Sequence, residues 1–228
     1  MAQAPELRTS LKQRIGVIII AIIMVGSTIA LYMGIVLNYN NSSAETTQTS
    51  EKEDRLNELF AEHQAKVNKQ AGELSAIYFD TLLPFRSYVK SFNNAAITKV
   101  TFEDLKIGDG AEVTEGFSDY SAYYIGWLAD ETVFDSSFND FANPTSLQHP
   151  LPGGNMIEGW NQGIIGMKIG GIRIISIPAE LAYGDQERNT IPANSSLKFI
   201  VMLIPPVEEI DYSDELYELY YELYGGEQ

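Results

Sequence analysis

The residues best suited to chemistry lie between Met156 and Gly184. Ile157, Trp160, Ile164 and Met167 recur at spacings of three and four, which puts them on one face of a short helix. Gly170-Gly171 offers the backbone freedom that ends such a helix. Ile172 to Ile177 reads as a β-branched strand closed by Pro178, and an Ala182-Tyr183-Gly184 turn follows. An apolar helix passing directly into a strand suggests a helix laid across an antiparallel sheet. Aromatic and aliphatic side chains with a few polar groups among them suit a concave, water-poor site that holds its ligand without covalent chemistry. The chain has no cysteine, which excludes thiol and disulfide chemistry.

Two further segments belong with this stretch. Tyr124-Ile125-Gly126-Trp127-Leu128 leads through Asp130-Glu131-Thr132, a turn, into Val133-Phe134-Asp135-Ser136-Ser137. Ile191-Pro192-Ala193-Asn194-Ser195-Ser196-Leu197-Lys198-Phe199 runs into a final apolar strand. Taken singly, Tyr124, Phe134, Trp160 and Phe199 also fit ordinary core positions, Tyr183 fits a loop tether, and Asp135 fits a turn cap before Ser136-Ser137. Together and in this order, the segments resemble the FKBP-type peptidyl-prolyl isomerases over roughly residues 93 to 205. Lys106-Ile107-Gly108-Asp109-Gly110 resembles the family's glycine-aspartate-glycine turn.

The resemblance implies an α+β fold, an antiparallel half-barrel wrapped on one short helix, and a rotamase activity that uses no cofactor and no metal. Rotation about an X-Pro amide faces a barrier of about 18–20 kcal/mol because resonance must be lost. A dry aromatic pocket favours the twisted amide, which carries less charge separation. By the same resemblance Trp160 is the pocket floor, and Tyr124, Phe134 and Phe199 are its walls. Ile157 supplies an apolar contact and a backbone N–H to a substrate carbonyl. Tyr183 donates its hydroxyl to the substrate backbone, Asp135 is the polar group beside the twisting amide, and Met156 and Ile191 line the rim. One departure concerns Asp135. Many relatives place an arginine shortly after Phe-Asp-Ser-Ser, whereas here Phe138-Asn139-Asp140 follows. The loop from Gly184 to Thr190 is short and polar, with no histidine or aromatic and no room for an inserted domain.

The elements that must position these residues follow a longer N-terminal part. Residues 1–14 hold Arg8, Lys12 and Arg14, and Ile15 to Leu37 carries no charge. At about 1.5 Å per residue that span gives roughly 35 Å of helix, enough for a hydrocarbon core of about 30 Å. The bases precede it, so the positive-inside rule predicts a single-pass membrane protein with a cytoplasmic N-terminus and an extracytoplasmic isomerase domain. Residues 38–50, rich in Asn, Ser and Thr, read as a linker. Residues 51–92 read as a helical stalk with an apolar stripe of Leu56, Leu59, Phe60, Val67, Leu74, Ile77 and Tyr78, broken at Pro84. That stripe is free to cover the following domain, the same helix of a second chain in a homodimer, or another partner. Residues 93–205 form the isomerase-like domain, in which Phe138 to Gly154 reads as an irregular crossover with one short strand. Residues 206–228 form an acidic, tyrosine-rich tail with helical spacing at Tyr217, Tyr220, Tyr221 and Tyr224, stopped by Gly225-Gly226.

Net charge is −16, from 15 bases and 31 acids, and residues 205–228 hold eight of the acids and no base. Such a surface repels nucleic acid and anionic headgroups. The expected partners are therefore proline-containing polypeptides and, through residues 15–37, a membrane. Three functions fit: a tethered isomerase for exported or surface proteins, a non-catalytic module that holds proline-containing segments, and a membrane scaffold.

Overall fold

The computed structural model of the chain describes residues 45–154 and 156–225. Among these residues no helix is long and apolar enough to cross a membrane, and the apolar segment 15–37 lies outside them. The described chain forms two compact units, one of residues 45–65 with 210–225 and one of residues 66–209.

In the larger unit, strands β1 (Thr101–Lys106), β2 (Ser121–Trp127), β3 (Val133–Ser136), β5 (Ile172–Ile177) and β6 (Leu197–Ile204) form an antiparallel sheet in the order β1-β5-β6-β2-β3. The two-residue β4 (Leu151–Pro152) adds to β2 and is the short strand of the crossover. Alternation along the central strands sends an apolar set to each face. Ala122, Tyr124, Ile175, Ile177, Leu197, Phe199, Val201 and Leu203 belong to one core, together with Trp160 and Ile164 of the short helix α2 (Glu158–Ile164). Tyr123, Ile125, Trp127, Ile172, Ile200, Met202 and Ile204 belong to a second core on the opposite face.

The second face is covered by residues 66–82 of the long helix α1 (Glu45–Leu82) and by the 3-10 segment Leu83–Tyr88, which Pro84 starts. Leu74, Tyr78, Phe79 and Leu82 pack into that core, and Ser75 Oγ accepts from the Leu147 N–H at 2.8 Å. Trp127 Nε1 donates to the Lys90 carbonyl at 3.0 Å. The part of the stalk beyond residue 65 therefore folds with the sheet as one unit, although the sequence separates 51–92 from 93–205. Ile77, expected on the apolar stripe, is 63% exposed. At 100° per residue it turns away from the face that Leu74, Tyr78 and Leu82 share, and Ser75 takes a buried place instead. The helix also starts at Glu45, inside the stretch read as linker.

A second difference concerns α2, expected to run to Gly170-Gly171. It ends at Ile164, where Ile165 becomes extended and Gly166 adopts φ +78°. Met167 still reaches the core, from a turn whose carbonyl accepts the Val113 N–H. The periodicity of the apolar residues continued past the point where the helix stopped.

In the smaller unit, helix α3 (Asp214–Tyr224) is capped by Ser213 Oγ, which accepts from the Leu216 N–H at 3.2 Å. Leu216 meets Leu56 and Leu59 in a small core rimmed by Phe60, Tyr212, Tyr220 and Leu223. Arg55 makes two hydrogen bonds to the Glu215 carboxylate, at 2.9 and 3.0 Å.

Leu82 is completely buried where α1 covers the sheet. Leu82→Ala is expected to lower unfolding free energy by about 2–5 kcal/mol, read by urea denaturation. A midpoint equal to that of the unaltered chain would show that α1 is not part of the folded unit.

Candidate functional site

The site grows from three pieces of backbone. Strands β2 and β6 are antiparallel neighbours, with Tyr124 opposite Val201 and Gly126 opposite Phe199. Both Tyr124 and Phe199 point to the α2 face. The β2–β3 hairpin, turned at Glu131 with φ +72°, brings Phe134 and Asp135 back beside β2. Helix α2 then presents Trp160 from above the same face.

The four rings converge. Trp160 and Phe199 lie 5.3 Å apart between centroids at 82°, Phe134 and Phe199 5.5 Å at 83°, and Tyr124 and Trp160 5.9 Å at 84°. These edge-to-face pairs match the favourable geometry of ring quadrupoles. Exposure is graded. Trp160 and Phe199 are buried, Tyr124, Phe134, Met156, Ile157 and Tyr183 are half-buried, Ile191 is buried, and Asp135 is exposed. Every apolar residue of the expected set lies in this one cluster, with Met156, Ile157, Tyr183 and Ile191 packed around the rings.

The polar groups are few. The Tyr124 hydroxyl donates to Asp135 Oδ2 at 2.5 Å, so the carboxylate has a phenol as its partner. Burial, then the hydrogen bond to Asp135 and its negative charge, holds the Tyr124 phenol well above the ordinary tyrosine range. Ile157 caps α2 with an extended backbone, and its carbonyl accepts from Trp160 and Asn161. Among the described residues nothing accepts from the Ile157 N–H. Trp160 Nε1 is buried without a hydrogen bond of acceptable geometry, although the Tyr120 hydroxyl lies close enough to interact with it. Among the described residues no cluster of His, Cys, Asp and Glu is arranged to hold a metal ion.

Gly126, quoted above only as part of a motif, and two arginines make contacts that the motifs do not announce. Gly126 is required by the rings themselves. A Cβ there would stand 2.6 Å from Phe134 Cζ and 2.8 Å from Phe199 Cε1. A glycine inside an otherwise β-branched and aromatic strand was the available signal. Arg188 sits over the Tyr183 ring, 6.0 Å from its centroid, in the loop read only as polar. Arg86, from the 3-10 segment after α1, donates to the carbonyls of Phe141 and Ala142 and stacks on Phe141 at 4.8 Å. It thereby holds the crossover, which no local spacing announces.

The family model described as FKBP-type peptidyl-prolyl cis-trans isomerase matches residues 110–204. A Neisseria meningitidis protein named FK506-binding protein is 39% identical over 107 residues, which are 46% of this chain and 94% of that protein. FK506-binding protein 4 of Candida glabrata is 36% identical over 170 residues, 71% of this chain and 42% of the relative. A Saccharomyces cerevisiae protein named peptidyl-prolyl cis-trans isomerase is 42% identical over 105 residues, 46% of this chain and 24% of the relative. The chain thus spans less than half the length of these fungal relatives.

The Tyr124–Asp135 arrangement has a pH signature. A free tyrosine ionises near pH 10. Because the folded phenol is held above that value, its contribution to stability is complete below about pH 10 and is lost as pH rises beyond it. In an absorbance titration of the folded protein, Tyr124→Phe is expected to remove a late-titrating phenol. Loss of an early-titrating one would show that Tyr124 is not a buried donor.

Proposed function

We propose, from the premise that this chain belongs to the FKBP-type peptidyl-prolyl cis-trans isomerase family, that its aromatic pocket catalyses rotation about X-Pro bonds. The observation that carries the reading is the convergence of Tyr124, Phe134, Trp160 and Phe199 on one half-buried opening, with Asp135 at its edge. A pyrrolidine ring entering there lies over Trp160 and between the other rings. The unused Ile157 N–H is a donor for the carbonyl beside the proline, and the Tyr183 hydroxyl is a second donor. Asp135, oriented by the Tyr124 hydroxyl, stands where the amide twists. Loss of water around the amide favours the twisted state over the planar, charge-separated one, so the rate gain comes from differential binding and needs no covalent step.

The chain acts, on this proposal, on proline-containing segments of exported or surface proteins, as a membrane-tethered enzyme. The tether reading rests on the charge-free segment 15–37 with Arg8, Lys12 and Arg14 before it, from which the positive-inside rule predicts a cytoplasmic N-terminus and a domain outside. A homodimer through the stalk remains part of the proposal for residues 51–65, whose apolar side is also where Leu216 packs. A second reading is a binding module without useful turnover. It is favoured by one observation, that Asp135 is paired with a phenol rather than a guanidinium.

Protease-coupled isomerisation of an Ala-Leu-Pro-Phe peptide by the full chain separates the two. Turnover above buffer is expected, with loss of activity in Trp160→Ala and in the milder Trp160→Leu, both checked for folding. Binding of the peptide with no acceleration would leave the module reading standing. For the tether, the full chain is expected to stay with membranes through an alkaline carbonate wash, and release into the supernatant would remove that part of the proposal.

A further inference from the structure

Arg173 is a charged residue in an apolar strand. Its side chain is 3% exposed. Strand alternation sends it to the α2 face, between residues that face the opposite core. Full burial of a guanidinium is costly unless every donor is used and the charge is paired. Here the use is nearly complete. Nε and Nη2 donate to the two oxygens of Asp104, at 2.6 and 3.1 Å. Nη1 donates to the carbonyls of Gly163 and Ile165, each at 2.9 Å. The Phe102 ring lies over the guanidinium, 3.8 Å from centroid to Cζ, which accounts for an aromatic that is 54% exposed at a sheet edge.

The two carbonyls belong to the end of α2. That helix has seven residues, and a helix of about two turns is not stable by itself. Its last carbonyls have no intrahelical partner. Arg173 supplies the missing donors and places a positive charge at the negative end of the helix dipole. Gly163 lies three residues beyond Trp160, and a Cβ on Gly163 would stand 2.4 Å from Ile175 Cγ2. The helix end is thus held from below by β5 and from the side by Arg173, and both holds reach the turn that carries the pocket floor. Asp104 and Phe102 come from β1, upstream of the residues 110–204 that match the family model.

We propose that Arg173, buttressed by Asp104 and Phe102, is a positioning residue that sets the height and tilt of Trp160 beneath the substrate proline. The proposal rests on the pocket reading above for its catalytic consequence, and on geometry alone for the placement of Trp160. Misplacement of a reacting geometry by about 1 Å costs up to roughly a hundredfold in rate.

The test uses the full chain labelled with fluorotryptophan. Trp160 and Trp127 then report separately, and Trp127, in the opposite core with its Nε1 bonded to Lys90, serves as the internal reference. In Arg173→Met the Trp160 resonance is expected to move and the Trp127 resonance to stay. The kcat/KM for the proline peptide is expected to fall by about tenfold to a hundredfold at a temperature well below melting. Arg173→Lys should fall between, because one ammonium reaches Asp104 or the helix carbonyls but not the whole set. A purely structural role would lower the melting temperature and leave both readouts where they were. An unmoved Trp160 resonance, or a moved one with unchanged kcat/KM, overturns the proposal. Should Arg173→Met fail to fold, Arg173→Lys is judged by the same two readouts. Should the unaltered chain show no turnover, the isomerase reading fails and the Trp160 resonance alone decides the placement.

Discussion

The close seating of α2 on β5 is the constraint on which the cluster of aromatic rings depends. A seven-residue helix brings little stability of its own, so it must be held by its surroundings. Two glycines make the approach possible. A Cβ on Gly159 would stand 2.1 Å from Ile177 Cγ2, and one on Gly163 would meet Ile175 nearly as closely. With the helix that low, Trp160 lies against Phe199 of the neighbouring strand and becomes part of the core. Its ring meets aromatic rings from β2 and β6, strands whose spacing the sheet determines.

That arrangement requires a stiff sheet, and the second core shows where stiffness comes from. Antiparallel sheets commonly leave one face to water. Here β2, β5 and β6 are apolar on both faces, and α1 with the 3-10 segment after it covers the side away from the pocket. The crossover between β3 and β4 is held to the same cover through Ser75, Arg86 and the contact of His149 Nε2 with Gln70 Oε1 at 2.6 Å. Since Ser137, at the start of that crossover, binds the backbone of Tyr124 through both its amide and its hydroxyl, the outer cover and the pocket wall share one hydrogen-bonded frame.

The polar side of the pocket follows a different logic. The carboxylate of Asp135 is exposed and would move freely without a partner. The Tyr124 hydroxyl supplies one, and burial of that phenol keeps it a donor across the whole neutral range. The residue that packs against Trp160 is also the one that binds the carboxylate, which ties the position of Asp135 to the packing of the rings.

Local pattern was enough to place the strands from Ser121 onward, the crossover and the tail helix, because alternation and turn residues act over a few positions, while the nine candidate site residues came from the family resemblance of the ordered motifs. It misjudged the end of α2, where apolar spacing ran on after Gly166 had turned the chain, and it put Ile77 on a stripe that geometry excludes. It left open what the stalk packs on, since nothing in residues 66–92 names the surface they cover. The pairings of Arg173 with Asp104, Arg86 with the crossover, and Gly126 with the Phe199 ring join positions far apart in the chain. Residue types and spacings determine which groups are available and which face each one takes. Which distant group meets which is decided by how the sheet and its two covers close, because a buried charge or a close approach is satisfied only by whatever partner the fold places there.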